Sequence, residues 1–588
     1  MCGIHGIICF DKRSGKNIRN KIKLMLKMAK HRGPDEEDIL ILDRVGLGTN
    51  RLAIIAPDEH STIQSMIGDK KYALFNGEIV NHQGLRKLLK YPPDRQTDSA
   101  IILPLLKQFG PKFIYKLAGM FAIAIYDESS NELQLWRDPL GIKPLYYYHT
   151  KDYVVFSSEI KSIYAVLDNQ PEVDFAAIDH CLKYRFHPGE STVFPDIKRV
   201  LPGETVIFDG NKITCKRYWF PAYNKKQISK KIQVEQFREI FAETIKEYTQ
   251  ADVKGGFFVS GGLDSSLVTA VALKQPSSFN LPISIRFLPN PVEDEEYGKL
   301  LEKFFKRKFE WVTISDQLAR QTLHEVVSYI DEPLENPIHI GTYLMAKRAH
   351  ELGVKSVLTG DGSDEFFLGY KRIGYWFNNS SANPSIDYPK LLWTLKPDDA
   401  AELYTEEAVS SIKPMLDSFN HQVEPFKDID QVLMFEQVDH LSEYHNMRLD
   451  RMTMAHGVEA RVPFQDRRLV EYALQIPLSK LFGISGKEWL QEVAKPWVPE
   501  EILNRPKVHF PSLSDQWTLG EGINWVSEIL LDHNAQTRKW IKSDILEQYI
   551  KEHKSKTQSR GRLLWALLVL ELWLQNLSSW RRNYIDNI

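Results

Sequence analysis

The chain begins Met1-Cys2-Gly3-Ile4. Removal of Met1, next to two small residues, would leave one residue carrying both a thiol and a free α-amine. A thiol of pKa about 8.5 is a better nucleophile than a hydroxyl, and an α-amine of pKa about 7.7–8 can take or relay a proton near pH 7. Such a residue suits attack on an amide carbonyl. Asn76-Gly77-Glu78, read as a tight turn following a strand, offers an amide side chain and a backbone N–H to a developing oxyanion. Arg51 and Asp98 supply the opposite charges that the α-carboxylate and α-ammonium of a free amino acid require. Together these residues describe a glutamine clamp with a nucleophile at its amide end. Each alone has a plainer reading: a small strand hydrophobe, a hairpin turn, two surface charges.

A second constellation lies far downstream. The apolar run Gly256-Phe-Phe-Val259 leads into Ser260-Gly261-Gly262-Leu-Asp264-Ser265-Ser266 and then the helical Leu267-Val-Thr-Ala-Val-Ala272. Two glycines at a strand-to-helix turn let backbone N–H groups face a phosphate at the helix N-terminus, and Ser265 and Ser266 add hydroxyls. The loop is neither a Walker sequence nor a dinucleotide fingerprint. A capped helix after a glycine turn is the simpler alternative.

Positioning these groups requires two kinds of framework. To about residue 220, short strand-like runs (Tyr72–Phe75, Met120–Tyr126, Val154–Phe156) alternate with Gly, Pro, Asn and Asp, which predicts an α+β layered domain. From about Gln233 helical periodicity alternates with buried-type strands at Gly256–Val259, Pro282–Phe287 and Ser356–Thr359, which predicts a parallel sheet. Pro221–Gln227 reads as the linker, and the chain after about Asp428 as mostly helical. At 588 residues, two to four domains of the usual size of about 100–200 residues are expected. A net charge of −2 gives no field for nucleic acid or anionic membrane. Cys2, Cys9, Cys181 and Cys215 form no C-x-x-C pair and no basic-apolar leader is seen, so a reducing cytoplasm is expected. Leu563–Leu570 is far short of the roughly 20 apolar residues that span a bilayer and reads as a buried helix.

The motifs taken together carry a resemblance. Met1–Ile4, His31-Arg-Gly-Pro-Asp35, Arg51–Ile54, Asn76–Ile79, Arg137–Tyr146 and Ser157–Lys161 resemble the class II glutamine amidotransferase domain, an N-terminal-nucleophile hydrolase. The Ser260–Ser266 string and Leu358-Thr-Gly-Asp-Gly-Ser-Asp-Glu-Phe366 are similar to the loops of PP-loop ATP pyrophosphatases. With Tyr444–Ala460, Glu459–Phe464, Gly486–Leu490 and Asn504–Lys507, nearly the whole chain resembles the glutamine-hydrolysing asparagine synthetase family.

The resemblance implies an αββα sandwich over residues 1–220, then an α/β parallel-sheet PP-loop domain (adenine nucleotide α-hydrolase-like) with a helical C-terminal region over 221–588. It implies Cys2 as nucleophile, Asn76 and Gly77 as oxyanion hole, and Arg51, Glu78 and Asp98 as the groups that orient glutamine. Val259, Ile285, Thr359 and Gly360 would line the adenosine site beside Ser260, Gly261, Gly262 and Ser265, with Lys487 at the pyrophosphate. Asp264 and Asp364 would bind Mg²⁺, which commonly takes one or two carboxylates plus phosphate oxygens. The implied reaction converts ATP, L-aspartate, L-glutamine and water to AMP, diphosphate, L-asparagine and L-glutamate, through a Cys2 thioester and an acyl-adenylate. Asp361 stands where the family commonly has Glu, Arg286 where it has Gly, Arg448 where it has Lys, and Ala100 where it has an acidic residue. The first three keep open another acceptor acid (a cell-wall, polysaccharide or secondary-metabolite intermediate), and a catalytically silent binding homologue is a further alternative. Partners are expected to be these small molecules, with no nucleic acid and no membrane; a homodimer stays open.

Overall fold

The structure is a computed structural model and describes residues 2–10, 17–60, 63–66, 68–210, 212–222, 230–288, 294–374, 388, 391–412, 429–477, 481, 487–505 and 513–585. The linker expected at Pro221–Gln227 lies mostly outside these, as do Asp428, Gly486 and Lys507.

The first part builds two antiparallel six-stranded sheets from β1 (Cys2–Cys9), β2 (Glu36–Ile41), β3 (Val45–Arg51), β4 (Gln64–Ser65), β5 (Lys71–Ile79), β6 (Gly119–Asp127), β7 (Glu132–Arg137), β8 (Tyr146–His149), β9 (Tyr153–Ser157), β10 (Ile197–Arg199), β11 (Glu204–Asp209) and β12 (Lys212–Arg217). One sheet runs β10-β8-β9-β1-β3-β2 and the other β12-β11-β7-β6-β5-β4. Side chains alternate across each strand, and both faces are apolar. Ile4 and Ile8 of β1 meet Leu74, Ala122 and Ala124 between the sheets. Ile7 and Cys9 point outward to the helix Ile18–Met28, while Phe75, Phe121 and Ile123 point outward to the helix Ile102–Phe109. That double burial explains the nearly unbroken apolar run Met120–Tyr126, and the result is the expected αββα sandwich.

The second sheet system is parallel: β13 (Gly255–Phe258), β14 (Phe279–Phe287), β15 (Glu310–Ile314), β16 (Ser356–Leu358) and β17 (Glu459–Arg461), in the order β15-β14-β13-β16-β17. The chain lays β14 and β15 on one side of β13, then crosses to put β16 and β17 on the other. The crevice beyond the carboxyl ends of β13 and β16 is therefore the topological switch point, where ligands of open α/β sheets bind. Both Gly-rich loops leave the sheet there. β17 interrupts the region read as mostly helical, and before it Phe435–Asn446 winds as a 12-residue π-helix, a form that is rare beyond single turns and concentrates at functional sites.

The helix Gly561–Ile585 closes the fold. Its stretch Gly561–Trp580 is long and apolar enough to cross a membrane, but 78% of its most apolar window is buried inside the protein. Leu563–Leu570 is core, as expected from its sequence.

Charged side chains are buried where the halves meet. Arg32 binds Asp450 at 2.8 and 3.1 Å and Glu159 at 3.0 Å. Arg451 reaches Asp331 at 2.5 Å, Asp450 at 3.1 Å and the Ser158 carbonyl at 3.1 Å. Removing one member leaves its partners charged and desolvated, which costs about 3–5 kcal/mol. Arg451→Met is therefore expected to lower the thermal midpoint by several degrees, read by calorimetry, whereas substitution of the exposed Lys551 should leave it in place.

Candidate active sites

β1 and β3 pair with Cys2 opposite Arg51, so sheet register brings the thiol beside a guanidinium. The Cys2 backbone N–H donates to Asn76 Oδ1 at 3.1 Å, which orients the amide so that Asn76 Nδ2, buried and without a partner among the described residues, is free to donate elsewhere. Burial pushes the Cys2 thiol up, against the pull of the chain's terminal ammonium, Arg51 and the Leu52 backbone N–H. The arrangement is a nucleophile with an unused amide donor next to it.

One expectation needs correction. Asn76-Gly77-Glu78 is not a turn after a strand; it lies inside β5, with Gly77 opposite Phe121 of β6. Gly77 has φ +151°, and a Cβ there would sit 2.0 Å from the Met120 carbonyl oxygen. The glycine is required by close approach of two strands, and it leaves Asn76 and Glu78 on the same strand face.

The three groups expected to orient glutamine are all engaged. Asp98 Oδ2 accepts the Ile79 N–H at 2.9 Å. Arg51 donates to Glu36 at 3.1 Å and to the Ile55 and Ala56 carbonyls at 3.2 and 3.0 Å, and it also contacts the Glu59 carbonyl. Glu78, on the same face of β5 as Asn76, lies with Oε2 3.0 Å from Arg461 Nη2 of β17.

At the other site Ser260–Ser266 folds as a turn into the helix Leu263–Ala272, with Gly262 at its N-cap. Ser265 Oγ accepts the Ser260 N–H at 3.2 Å. Ser266 departs from expectation: fully buried, its hydroxyl donates to the Gly262 carbonyl at 2.7 Å and so holds the loop rather than facing a phosphate. Thr359 and Gly360 follow β16, and a Cβ on Gly360 would lie 2.7 Å from the Ser265 nitrogen, so the loops touch there. Val259 is tied to β14 by its N–H to Ile283 O at 2.9 Å, and Ile285 lies farther along that strand.

Three charged groups converge between these loops. Lys487 Nζ lies 2.5 Å from both Asp264 and Asp364, and Ser363 Oγ donates to Asp264 at 2.7 Å. Lys487 is buried rather than solvated; the two carboxylates hold its ammonium charged against the cost of burial. It also takes a left-handed backbone conformation, φ +60°, ahead of the helix Glu488–Ala494, of the kind that persists at functional sites when surrounding structure enforces it. Two hard carboxylates drawn to one cation fit Mg²⁺, provided a nucleotide supplies further oxygens. Among the described residues no group of three or more His, Cys, Asp or Glu could hold a metal unaided.

Next to Gly360, Asp361 forms an ion pair with Arg448. Arg448 is buried, and its Nε has no partner among the described residues. His339, whose Nδ1 lies 2.7 Å from the Asn336 carbonyl, keeps a buried Nε2 without a partner among the described residues and feels the charge of Arg448. Arg286 instead bonds Thr313 at 2.8 Å and Glu295 at 3.2 Å. Sequence reasoning passed over Glu365 and Tyr370. The Tyr370 hydroxyl donates to Glu365 Oε1 at 2.5 Å and lies 3.1 Å from His445 Nε2, and burial beside Asp364 raises the Glu365 carboxyl to about 7. Only the position of Glu365 immediately after Asp364 hinted at this.

A sandwich with a half-buried thiol beside an amide donor, joined to a parallel sheet with paired nucleotide loops, defines a glutamine-dependent amidotransferase ligase. The chain belongs to the asparagine synthase family: residues 236–575 match the family model "Asparagine synthase", and residues 1–219 match "Glutamine amidotransferase domain". Among its relatives, asparagine synthetase 1 (glutamine-hydrolyzing) of Bacillus subtilis (strain 168) is 29% identical, over 97% of this chain and 96% of its own. Asparagine synthetase 3 (glutamine-hydrolyzing) of the same organism is 28% identical over 87% of each chain. Amidase chry2 of Gibberella zeae is 26% identical over 92% of this chain and 93% of its own.

Proposed function

We propose that the protein is a glutamine-hydrolysing asparagine synthetase, with a glutaminase in residues 1–220 and an amide-forming half in 221–588. Cys2 attacks the glutamine amide; its sulfur gains the γ-acyl group, ammonia leaves, and water then releases glutamate. Asn76 Nδ2 and the Gly77 N–H receive the oxyanion. Arg51 exchanges its loop carbonyls for the α-carboxylate, Asp98 meets the α-ammonium, and Glu78 supports that end.

In the second half an acceptor carboxylate oxygen attacks the α-phosphorus of ATP and pyrophosphate departs. Ammonia attacks the resulting acyl carbon, and AMP leaves with one former carboxylate oxygen. The Ser260, Gly261, Gly262 and Ser265 loop cradles the phosphates, Val259, Ile285, Thr359 and Gly360 line the adenosine, and Lys487 stabilises charge on the leaving pyrophosphate. Mg²⁺, held by Asp264 and Asp364, would neutralise phosphate charge when bound. Asp361 handles the proton of incoming ammonia.

The observation that carries this reading is the meeting of Asp264, Asp364 and Lys487 between the two loops. The test is pyrophosphate release with glutamine, Mg·ATP and a panel of acids. A response to aspartate supports the reading; no response to aspartate with strong turnover of another acid replaces it with an amidotransferase for that acid. The pairing of buried Arg448 with Asp361, at positions where the family commonly has Lys and Glu, keeps this second reading open, and its guanidinium is a receptor for an acceptor carboxylate. Under either reading Arg448→Met is expected to lower kcat/KM for the acceptor by about 100-fold, the scale of a lost charge-assisted hydrogen bond of about 3 kcal/mol, while glutamine hydrolysis stays near wild type.

A further inference from the structure

His339 lies in the first turn of the helix Ile338–Glu351, two residues before Gly341, where a Cβ would stand 3.1 Å from Ile285 Cδ1. That turn therefore rests on the later part of β14, toward the end where the crevice opens. The same helix packs along Met447–Met454, whose second residue is Arg448. The two approaches are also tied to each other, because the Tyr444 hydroxyl, four residues before Arg448, donates to the Glu335 carbonyl at 3.1 Å.

Local bonds fix the imidazole. The Ile338 N–H donates to Asn336 Oδ1 at 3.0 Å and the His339 N–H to the Asn336 carbonyl at 3.0 Å. His339 Nδ1 lies 2.7 Å from that same carbonyl. A carbonyl only accepts, so Nδ1 carries the proton and Nε2 presents a lone pair. Burial keeps the ring neutral by pushing its basicity down to about 3. The residue is 3% exposed, and Nε2 meets no donor among the described residues. A buried acceptor without a donor is destabilising, and such an atom in a native fold points to a ligand or a function.

Arg448 has the complementary need. Its Nη2 is engaged by Asp361, while the buried Nε–H has no acceptor among the described residues. A ligand that reaches both side chains must bring an acceptor to the guanidinium and a donor to the imidazole. An α-amino acid carries the two on one carbon, as carboxylate and ammonium. A plain dicarboxylate brings only acceptors and would leave the Nε2 lone pair unmet.

We propose that His339 is a specificity-determining residue that accepts a hydrogen bond from the α-ammonium of the acceptor acid while Arg448 holds its α-carboxylate, so that the amide-forming half selects α-amino dicarboxylic acids over dicarboxylic acids with no donor on that carbon. The inference rests on the acceptor reading given above and names the group that enforces it.

The test measures pyrophosphate release by the full chain with Mg·ATP and ammonium chloride, using L-aspartate, L-malate and succinate, in wild type, His339→Leu, His339→Asn and His339→Gln. Succinate keeps the carbon chain and both carboxylates but lacks the donor; malate offers a hydroxyl in its place. In wild type kcat/KM for aspartate is expected to exceed that for succinate by about 100-fold, the scale of discrimination when a buried acceptor is left unpaired, with malate between them. In His339→Leu the value for aspartate should fall by about 30-fold while that for succinate stays within about threefold, which collapses the ratio. His339→Gln, whose Oε1 also accepts, should keep most of the ratio. If His339→Leu fails to fold, His339→Asn can still donate to the Asn336 carbonyl but presents no acceptor where Nε2 stood, and the same collapse is expected there. An aspartate-to-succinate ratio unchanged in the variant that folds, or no preference in wild type, overturns the proposal. If wild type ignores aspartate but turns over another acid, the acceptor reading itself fails; that acid is then compared with its analogue lacking the α-donor, and equal use of the two overturns the inference as well.

Discussion

Cys2→Ala is expected to lower glutamine-dependent amide formation by about 10⁴-fold or more while turnover supported by added ammonium chloride stays within about twofold of wild type. The size follows from removal of the atom that forms the covalent intermediate: no other group in the site replaces it, and the oxyanion donors alone retain only a residual rate. The sparing of ammonia-supported turnover follows from geometry, because the nucleotide loops lie on a different sheet. The substitution is also small in structural terms. Cys2 is the first residue of β1, and its backbone bond to Asn76 survives the change. The measurement is paired product analysis, glutamate by one assay and pyrophosphate by another, at saturating ATP and acceptor.

Lys487→Met should produce the mirror image. Pyrophosphate release is expected to fall about 10³-fold with either nitrogen source, close to 4 kcal/mol of lost transition-state stabilisation, and basal glutamine hydrolysis should persist. The loss should appear mainly in kcat, because the β- and γ-phosphates gain negative charge as the bond to the α-phosphorus breaks. A separate effect concerns the metal: without the ammonium, Asp264 and Asp364 lose the cation they share across a partly buried space. The half-maximal Mg²⁺ concentration is therefore expected to fall in the variant even as the rate drops. Steady-state kinetics over a Mg²⁺ series separates these effects.

Much of this was legible from the sequence where chemistry is local. Strands buried on both faces produce nearly continuous apolar runs, which is why Met120–Tyr126 and Pro282–Phe287 fall inside observed strands. The Ser260–Ser266 loop could be read because the phosphate cradle proposed for it is carried by consecutive backbone groups. Asn76-Gly77 misled for the opposite reason: the local preference of Asn-Gly for a turn yields to pairing with β6, and the glycine is there for a neighbouring carbonyl. Lys487 illustrates a further limit. A lysine in a polar segment reads as solvated, and only the approach of two loops far apart in the chain makes it a buried cation. Arg448 with Asp361, and Arg461 with Glu78, are pairs of this kind. Each side chain alone carries no signal of its partner, because the partner is supplied by tertiary packing. Ser266 shows that a hydroxyl in the right motif can still turn inward to its own helix.

The proposed chemistry requires that a carboxylate be activated as an ester of AMP before it meets ammonia. The most direct measurement supplies the acceptor acid with ¹⁸O in both carboxylate oxygens, together with glutamine and Mg·ATP, and follows the label by mass spectrometry. One ¹⁸O is expected in AMP, none in pyrophosphate, and the other retained in the amide. Formation of ADP with label in orthophosphate, or amide formation with no label in AMP, would contradict it.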